Sequence, residues 1–303
     1  MAVTEQRKFL ILKGGSSSER EISLKTAAHV EAAFDRMGLD YQSREVNGFS
    51  ECLSLPLKGV DYVFNALHGG YGEDGTLQAF LDGLDIRYNG AGREASAICM
   101  SKVLTRLVAS ASGVRVPEGV WIPCAETANF SRLQSTLGTS FVVKPDAQGC
   151  SIGVSAVNSK DDFDAALSIL NKFKGRTLFE ELVSGDEITV GVLDGEILPF
   201  LLISHTHSLF SYDAKFNSPD TTCYSIAQVP PDVVARVEKD VWRMCCILGI
   251  RDYARFDFII KDGVPFLLEV NTLPGLNSHS VFVKASGLAG MDYDSVIGKI
   301  INS

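Results

Sequence analysis

No run of apolar residues in this chain approaches the ~20 that a membrane-spanning helix needs. No apolar signal core follows the opening Met1-Ala2-Val3-Thr4-Glu5-Gln6-Arg7-Lys8. A membrane partner is therefore not expected. Cysteine is scattered rather than patterned: there are seven, no Cys-x-x-Cys pair, and an adjacent Cys245-Cys246 whose mutual bridge is geometrically disfavoured. That odd, dispersed set suits a reducing cytoplasm. Positive charge is in short supply, with 28 Lys and Arg against 37 Asp and Glu and a net charge of −9. A nucleic-acid partner thus has no electrostatic support. Any phosphate the chain handles must be neutralised locally, by a few placed lysines, arginines and metal ions. Internal repeats and low-complexity segments are absent, and the five histidines show no metal spacing on a helix.

What is present is enough for a real core: 303 residues, 46% of them hydrophobic, with room for two or three domains. Phe9–Leu12 reads as a short strand running into Lys13-Gly14-Gly15-Ser16-Ser17-Ser18-Glu19, with helical periodicity from about Ile22 to Met37. Tyr62–Leu67 repeats the pattern, ending in His68-Gly69-Gly70-Tyr71-Gly72 before a helix-like Thr76–Leu81. Strand, glycine loop and helix in succession predict an open α/β sheet with ligands at the carboxyl ends of the strands. Beyond Gly90-Ala91-Gly92 the spacing predicts one helix over Glu94–Ser110, containing Lys102. A strand over Phe141–Lys144, a helix over Asp161–Phe173 and a strand over Thr177–Leu182 follow. Glu187–Leu193 and Glu196–Ile203 read as a hairpin across Asp194-Gly195, and Val233–Leu248 as a helix. Ser204–Ser225 is polar and aperiodic, which in a compact domain marks a functional lid or disorder.

Three patterns carry candidate chemistry. Tyr253–Ile260 and Pro265–Val270 flank Lys261-Asp262-Gly263, a hairpin that would face Asp257, Glu269 and Asn271 one way beside Arg255. Hard oxygen ligands of this kind suit Mg²⁺, and a metal with an arginine suits phosphoryl or acyl-phosphate chemistry; ordinary charges on a hairpin fit equally well. Lys144-Pro145 followed by Gly149-Cys150-Ser151-Ile152-Gly153 is a lysine on a strand before a glycine-rich loop whose N–H groups, at Ser151 among others, could approach phosphate. A plain surface turn fits it too. Glu180-Glu181-Leu182-Val183 with Glu187 offers carboxylates and backbone groups for adenosine, or simply a charged turn.

In register, these pieces resemble the ATP-grasp superfamily and, within it, the D-alanine–D-alanine ligase family. The likeness runs from Gly14 to about Gly290. It is carried by Gly14–Leu24, by His68-Gly69 with Gly72–Gln78, by the Lys144–Gly153 loop and by Tyr212-Asp213-Ala214-Lys215. Arg255-Phe256-Asp257, Glu269–Gly275 and Asn277-Ser278-His279-Ser280 complete it. The resemblance implies an α/β protein with an ATP-grasp fold behind an N-terminal open α/β domain. That domain, residues 1–98, would bind the first substrate; 99–182 would be the central subdomain with the glycine loop, and 183–303 the C-terminal subdomain with lid and metal site. It implies that a first amino acid's carboxylate is phosphorylated by ATP and captured by the amine of a second. Lys102, Lys144, Ser151 and Lys215 would hold phosphates, and Glu180, Leu182, Val183 and Glu187 the adenosine. Asp257, Glu269 and Asn271 would bind two Mg²⁺, with Mn²⁺ as an alternative ion. Glu19 would pair with the first ammonium, His68 would lie near the acyl phosphate, and Arg255 with the Gly275 N–H would stabilise the oxyanion. Ser280 would meet the second carboxylate. The likeness also implies a homodimer.

Two positions depart from the family pattern. Cys150 stands where relatives usually carry serine, and Phe216 where they very often carry tyrosine. Those hydroxyls join the glutamate matching Glu19 in a triad that ties the lid down; here two neutral hydrogen bonds, each ~0.5–1.5 kcal/mol, are weakened or lost. Phenylalanine at this place also occurs in relatives that use a D-hydroxy acid as second substrate. A depsipeptide ligase, or a dipeptide ligase of a specialised pathway, therefore stands beside the amine-specific reading. A small-molecule kinase and a non-catalytic nucleotide binder are the remaining alternatives.

Overall fold

The computed structural model describes residues 7–149, 151–205 and 222–303. Cys150, Lys215 and Phe216, and with them the expectations about the lid triad and the third lysine, lie outside the described residues. The first sheet is parallel, in the order β2-β1-β3-β4, from Phe9–Gly14 (β1), Tyr41–Val46 (β2), Tyr62–Asn65 (β3) and Arg87–Tyr88 (β4). Its strands alternate with Arg20–Met37 (α1), Phe49–Cys52 (α2) and Thr76–Asp82 (α3). Helices on both faces explain why β1 is an unbroken apolar run. Phe9 and Ile11 enter one core with Ala27, Val30 and Phe34 of α1, while Leu10 and Leu12 enter another with Leu77 and Leu81 of α3. The turn out of β1 needs Gly14 and Gly15, both at positive φ; a side chain on Gly14 would come within 2.7 Å of the Val46 carbonyl.

The single helix expected over Glu94–Ser110 is two, Arg93–Met100 (α4) and Lys102–Ala111 (α5). Ser101 breaks them: its backbone is extended and its Oγ accepts from the Leu104 N–H at 3.1 Å, capping α5. Lys102 therefore opens a helix instead of sitting mid-helix. Gly119–Ile122 (β5), Phe130–Leu137 (α6), Phe141–Pro145 (β6), Ser155–Val157 (β7), Lys160–Leu170 (α7) and Thr177–Glu181 (β8) form a central layer. Its antiparallel sheet, β5-β8-β6-β7, has its own core around Phe141, Phe163 and Phe179.

The third part holds Asp186–Leu193 (β9), Glu196–Ile197 (β10), Leu201–His205 (β11), Thr222–Ile226 (β12), Pro231–Leu248 (α8), Tyr253–Lys261 (β13) and Val264–Asn271 (β14). Its sheet runs β12-β11-β9-β13-β14, with β10 beside β9. Both expected hairpins form. Asp194-Gly195 and Asp262-Gly263 each have two consecutive positive φ values, the primed-turn geometry that suits twisted strands. The expected strand Glu196–Ile203 is split between β10 and β11, around Pro199, which has no N–H to give a ladder. Thr222–Ile226 pairs with β11, so the aperiodic stretch expected over Ser204–Ser225 begins and ends in strand. Helix α5 packs its apolar face on this sheet: Ala109 shares a core with Val237, Met244 and Phe256. Val281–Leu288 (α9) and Tyr293–Asn302 (α10) return to the first sheet, where Phe282, Ile297 and Ile300 pack with Phe9 and Phe34.

A buried polar seam joins the first and third parts. The Asn65 N–H donates to Asn89 Oδ1 at 2.6 Å, Asn89 Nδ2 donates to the Tyr253 hydroxyl at 3.0 Å, and the Gly90 N–H donates to Asp252 Oδ2 at 3.1 Å. Burial pushes the Asp252 carboxyl up to about 6, against Arg251 and the Gly90 hydrogen bond. A raised acid pKa means that the folded state disfavours the charged form, so the penalty grows as pH rises from about 4 to about 6 and then stays constant. Asp252→Asn is therefore expected to stabilise the protein by roughly 1–2 kcal/mol at pH 7.5 and by little near pH 4. Thermal unfolding at the two pH values checks this; equal shifts at both would contradict it.

Candidate active site

Two cavities open along the seams between these parts, and most expected site residues line one or the other. The first, about 530 Å³, lies between the central sheet and the third sheet. Lys144 and Glu180 wall it from the central sheet, Leu182 and Val183 from the connection into β9, Glu187 from β9 itself, and Ser151 from the glycine-rich loop. The second, about 700 Å³, lies between the first and third parts and is lined by Glu19, His68, Arg255, Asn271, Gly275 and Ser280. Lys102, Ile203, Asp257 and Glu269 line both, so the cavities meet at one cation and two carboxylates.

The register of the β13–β14 hairpin builds that junction. Arg255 stands opposite Asn271 and Asp257 opposite Glu269. Beyond Asp257 the pairing slips, and Phe258 meets Leu267. Leu268 is thus the extra residue of a bulge, and bulges re-aim side chains. Adjacent strand residues normally face opposite ways, yet Leu268 and Glu269 both line the first cavity. Arg255 donates from Nε to Asp257 Oδ1 at 3.0 Å and from Nη2 to Asp257 Oδ2 at 2.9 Å, with Glu269 Oε1 at 3.4 Å. Thr189, which β9 places opposite Asp257, donates to Asp257 Oδ1 at 2.6 Å. Lys102 Nζ stands 3.9 Å from Glu269 Oε2 and donates to the Gln148 carbonyl at 2.6 Å. Asn271 Oδ1 accepts from the Leu273 N–H at 2.9 Å and keeps a second lone pair.

Lys102 is located by a buried carboxylate that sequence reasoning missed. Asp146 accepts from Ser101 Oγ at 2.8 Å, from the Val103 N–H at 2.8 Å and from Arg176 Nε at 2.8 Å. It thereby clamps the start of α5 to the glycine-rich loop. In the first cavity, Lys144 Nζ donates to Glu180 Oε2 at 2.5 Å, and Glu180 is only 3% exposed. A carboxylate expected beside adenosine is thus engaged with a lysine expected on phosphate. Glu187 lines the cavity from the start of β9.

In the second cavity, Glu19 and His68 are both buried. His68 Nε2 meets Thr26 Oγ1 at 3.0 Å and Nδ1 meets Glu73 Oε1 at 3.1 Å, which fixes the ring. The glycine-rich loop closes on Glu19: a side chain on Gly149 would come within 2.5 Å of Glu19 Oε1. Ser280 caps α9 by accepting from the Phe282 N–H at 3.2 Å, and it donates to the Gly275 carbonyl. Tyr224 was not anticipated. It lines this cavity with Lys284 Nζ 4.6 Å from its ring centroid, and burial pushes its phenol up, opposed by Arg255. Cys99 also lines the cavity, but burial raises its thiol to about 12, which leaves it a poor nucleophile.

Among the described residues, no group of three or more His, Cys, Asp or Glu side chains gathers as a metal centre. Two carboxylates and an amide are nonetheless the protein share that Mg²⁺ takes when phosphate and water complete its shell. Asp257 and Glu269, at the junction of the two cavities, have the oxygen chemistry that this requires.

Comparison with known proteins points the same way. Residues 120–302 match the family described as "D-ala D-ala ligase C-terminus" and residues 42–91 the one described as "D-ala D-ala ligase N-terminus". The chain is 33% identical to a D-alanine–D-alanine ligase of Bacillus anthracis over 97% of its own length and 95% of that protein's. It is 35% identical to one of Dechloromonas aromatica, over 97% and 96%. The crystal structure of the D-alanine–D-alanine ligase from Bacillus anthracis complexed with ATP superposes with a TM-score of 0.86 at 31% identity, over 98% of this chain and 96% of that one.

Proposed function

Because this chain belongs to the D-alanine–D-alanine ligase family, a family of ATP-dependent ligases with the ATP-grasp fold, we propose that it joins two amino acids, D-alanine first among them, through an acyl phosphate. The observation that carries this reading is the meeting of the two cavities at Lys102, Asp257 and Glu269. A nucleotide lying in the first cavity would end where a carboxylate in the second begins. A carboxylate is a poor electrophile because its leaving group is oxide. Transfer of the γ-phosphoryl group to one carboxylate oxygen makes phosphate the leaving group. The amine of the second amino acid then attacks the carbonyl carbon, and phosphate departs as the amide forms.

On this reading Glu19 pairs with the first ammonium and His68, its ring already fixed, lies beside the acyl phosphate. Arg255 and the Gly275 N–H steady the tetrahedral oxyanion, and Ser280 meets the second carboxylate. Lys102 and Lys144, with the N–H of Ser151 and with Lys215, hold phosphate oxygens. Leu182, Val183, Glu180 and Glu187 receive the adenosine. Mg²⁺, held by Asp257, Glu269 and Asn271, would supply charge neutralisation for the transferring phosphoryl group. The segment from Ser204 to Ser225 would shield the acyl phosphate from water. We extend the family likeness to a homodimer and to a cytoplasmic location; among the described residues, no helix is long and apolar enough to cross a membrane.

The test is phosphate release from ATP and Mg²⁺ with D-alanine present or omitted, read beside product mass. The expected result is release that requires D-alanine and a product with the mass of dialanine. Release without amino acid, or a phosphorylated amino acid as the end product, would overturn the proposal.

A further inference from the structure

The floor of the first cavity has a cation behind it that the proposed reaction does not use. Lys102 and Arg106 stand four residues apart on α5, on one face of the helix. Lys102 reaches the junction of the cavities, whereas Arg106 is not among the lining residues and instead backs Glu180. Arg106 Nε lies 3.5 Å from Glu180 Oε1, is itself buried, and among the described residues has no hydrogen-bond partner. Its Nη2 donates to the Pro117 carbonyl. The guanidinium lies against Gly119, the residue that β5 places opposite Glu180, and any side chain at Gly119 would run into it. The arginine thus fills the space beside Gly119. The other oxygen of Glu180 accepts from Lys144 at 2.5 Å.

We propose that Arg106 is a positioning residue for the nucleotide, acting through Glu180 on Lys144. The proposal rests on the nucleotide reading of this cavity. The buried group is a triplet of two cations and one carboxylate, so the cluster behind Lys144 keeps a net positive charge. Removing Arg106 leaves Lys144 and Glu180 to cancel one another. It also frees Glu180 Oε1 to turn towards Lys144 and draw the ammonium off the phosphates. The loss should fall on nucleotide binding and spare the amino-acid steps, since no atom of Arg106 reaches the second cavity's lining.

The experiment is calorimetric titration of ADP with Mg²⁺ into the wild type, Arg106→Met, Glu180→Gln and the double variant, with steady-state kinetics alongside. Arg106→Met is expected to raise Kd and the KM for ATP about tenfold, with kcat and the KM for D-alanine changed less than about threefold. In the Glu180→Gln background the same substitution is expected to cost less than about threefold, because its partner is gone. Arg106→Lys, which keeps the charge but not the fork, is expected to lose less than Arg106→Met and supplies the comparison if the methionine variant does not fold. An equal loss in both backgrounds would overturn the proposal, as would unchanged ADP affinity in Arg106→Met. Failure of the wild type to bind ADP would instead overturn the nucleotide reading itself.

Discussion

Replacing Glu269 with alanine is expected to lower ATP turnover by about a thousandfold or more while leaving the fold intact. Glu269 borders both cavities, accepts from Arg255 at 3.4 Å and stands 3.9 Å from Lys102. Its loss removes one of two carboxylates offered to the metal and leaves two cations facing each other across the site. Because its side chain is about a third exposed and belongs to no apolar cluster, the cost to stability is expected to be small. ADP release across a Mg²⁺ titration, with circular dichroism as the control for folding, checks this. Turnover near the wild-type rate would remove Glu269 from the metal site.

Arg255→Met is expected to cost about 10²–10³ in kcat, the usual size for a donor aimed at a developing oxyanion. Nucleotide affinity is expected to stay within about threefold, since Arg255 lines the second cavity and not the first. That separation of kcat from nucleotide binding distinguishes the oxyanion role from a role in gripping ATP. Asp257 loses both hydrogen bonds from the guanidinium in this variant but keeps that from Thr189 at 2.6 Å. If the substitution instead weakened nucleotide binding as much as turnover, Arg255 would belong with the phosphate ligands.

How much of this was legible in the sequence depended on whether the signal was local. The β13–β14 hairpin could be read because Asp262-Gly263 demands one turn type, and that turn sets the register from Lys261 opposite Val264 to Phe258 opposite Leu267. The bulge at Leu268 could not, since nothing in a run of apolar residues marks where a ladder slips. The break at Ser101 was missed because helical periodicity continues across it, and only the capping contact with Leu104 reveals it. Thr189, Asp146 and Arg106 were missed for a different reason. Their partners Asp257, Ser101 and Glu180 are 68, 45 and 74 residues away, and only the folded sheet order brings them together. The residues proposed to touch substrate were recognisable by motif, whereas the buried partners that hold them in place were not.

The central claim is that phosphate leaves from an activated carboxylate where the two cavities meet. Following an oxygen-18 label in the carboxylate of the first D-alanine tests it most directly. The account predicts one labelled oxygen in the released inorganic phosphate for each dialanine formed, because the carbon–oxygen bond of the acyl phosphate is the one that breaks. Unlabelled phosphate accompanying dialanine would contradict it.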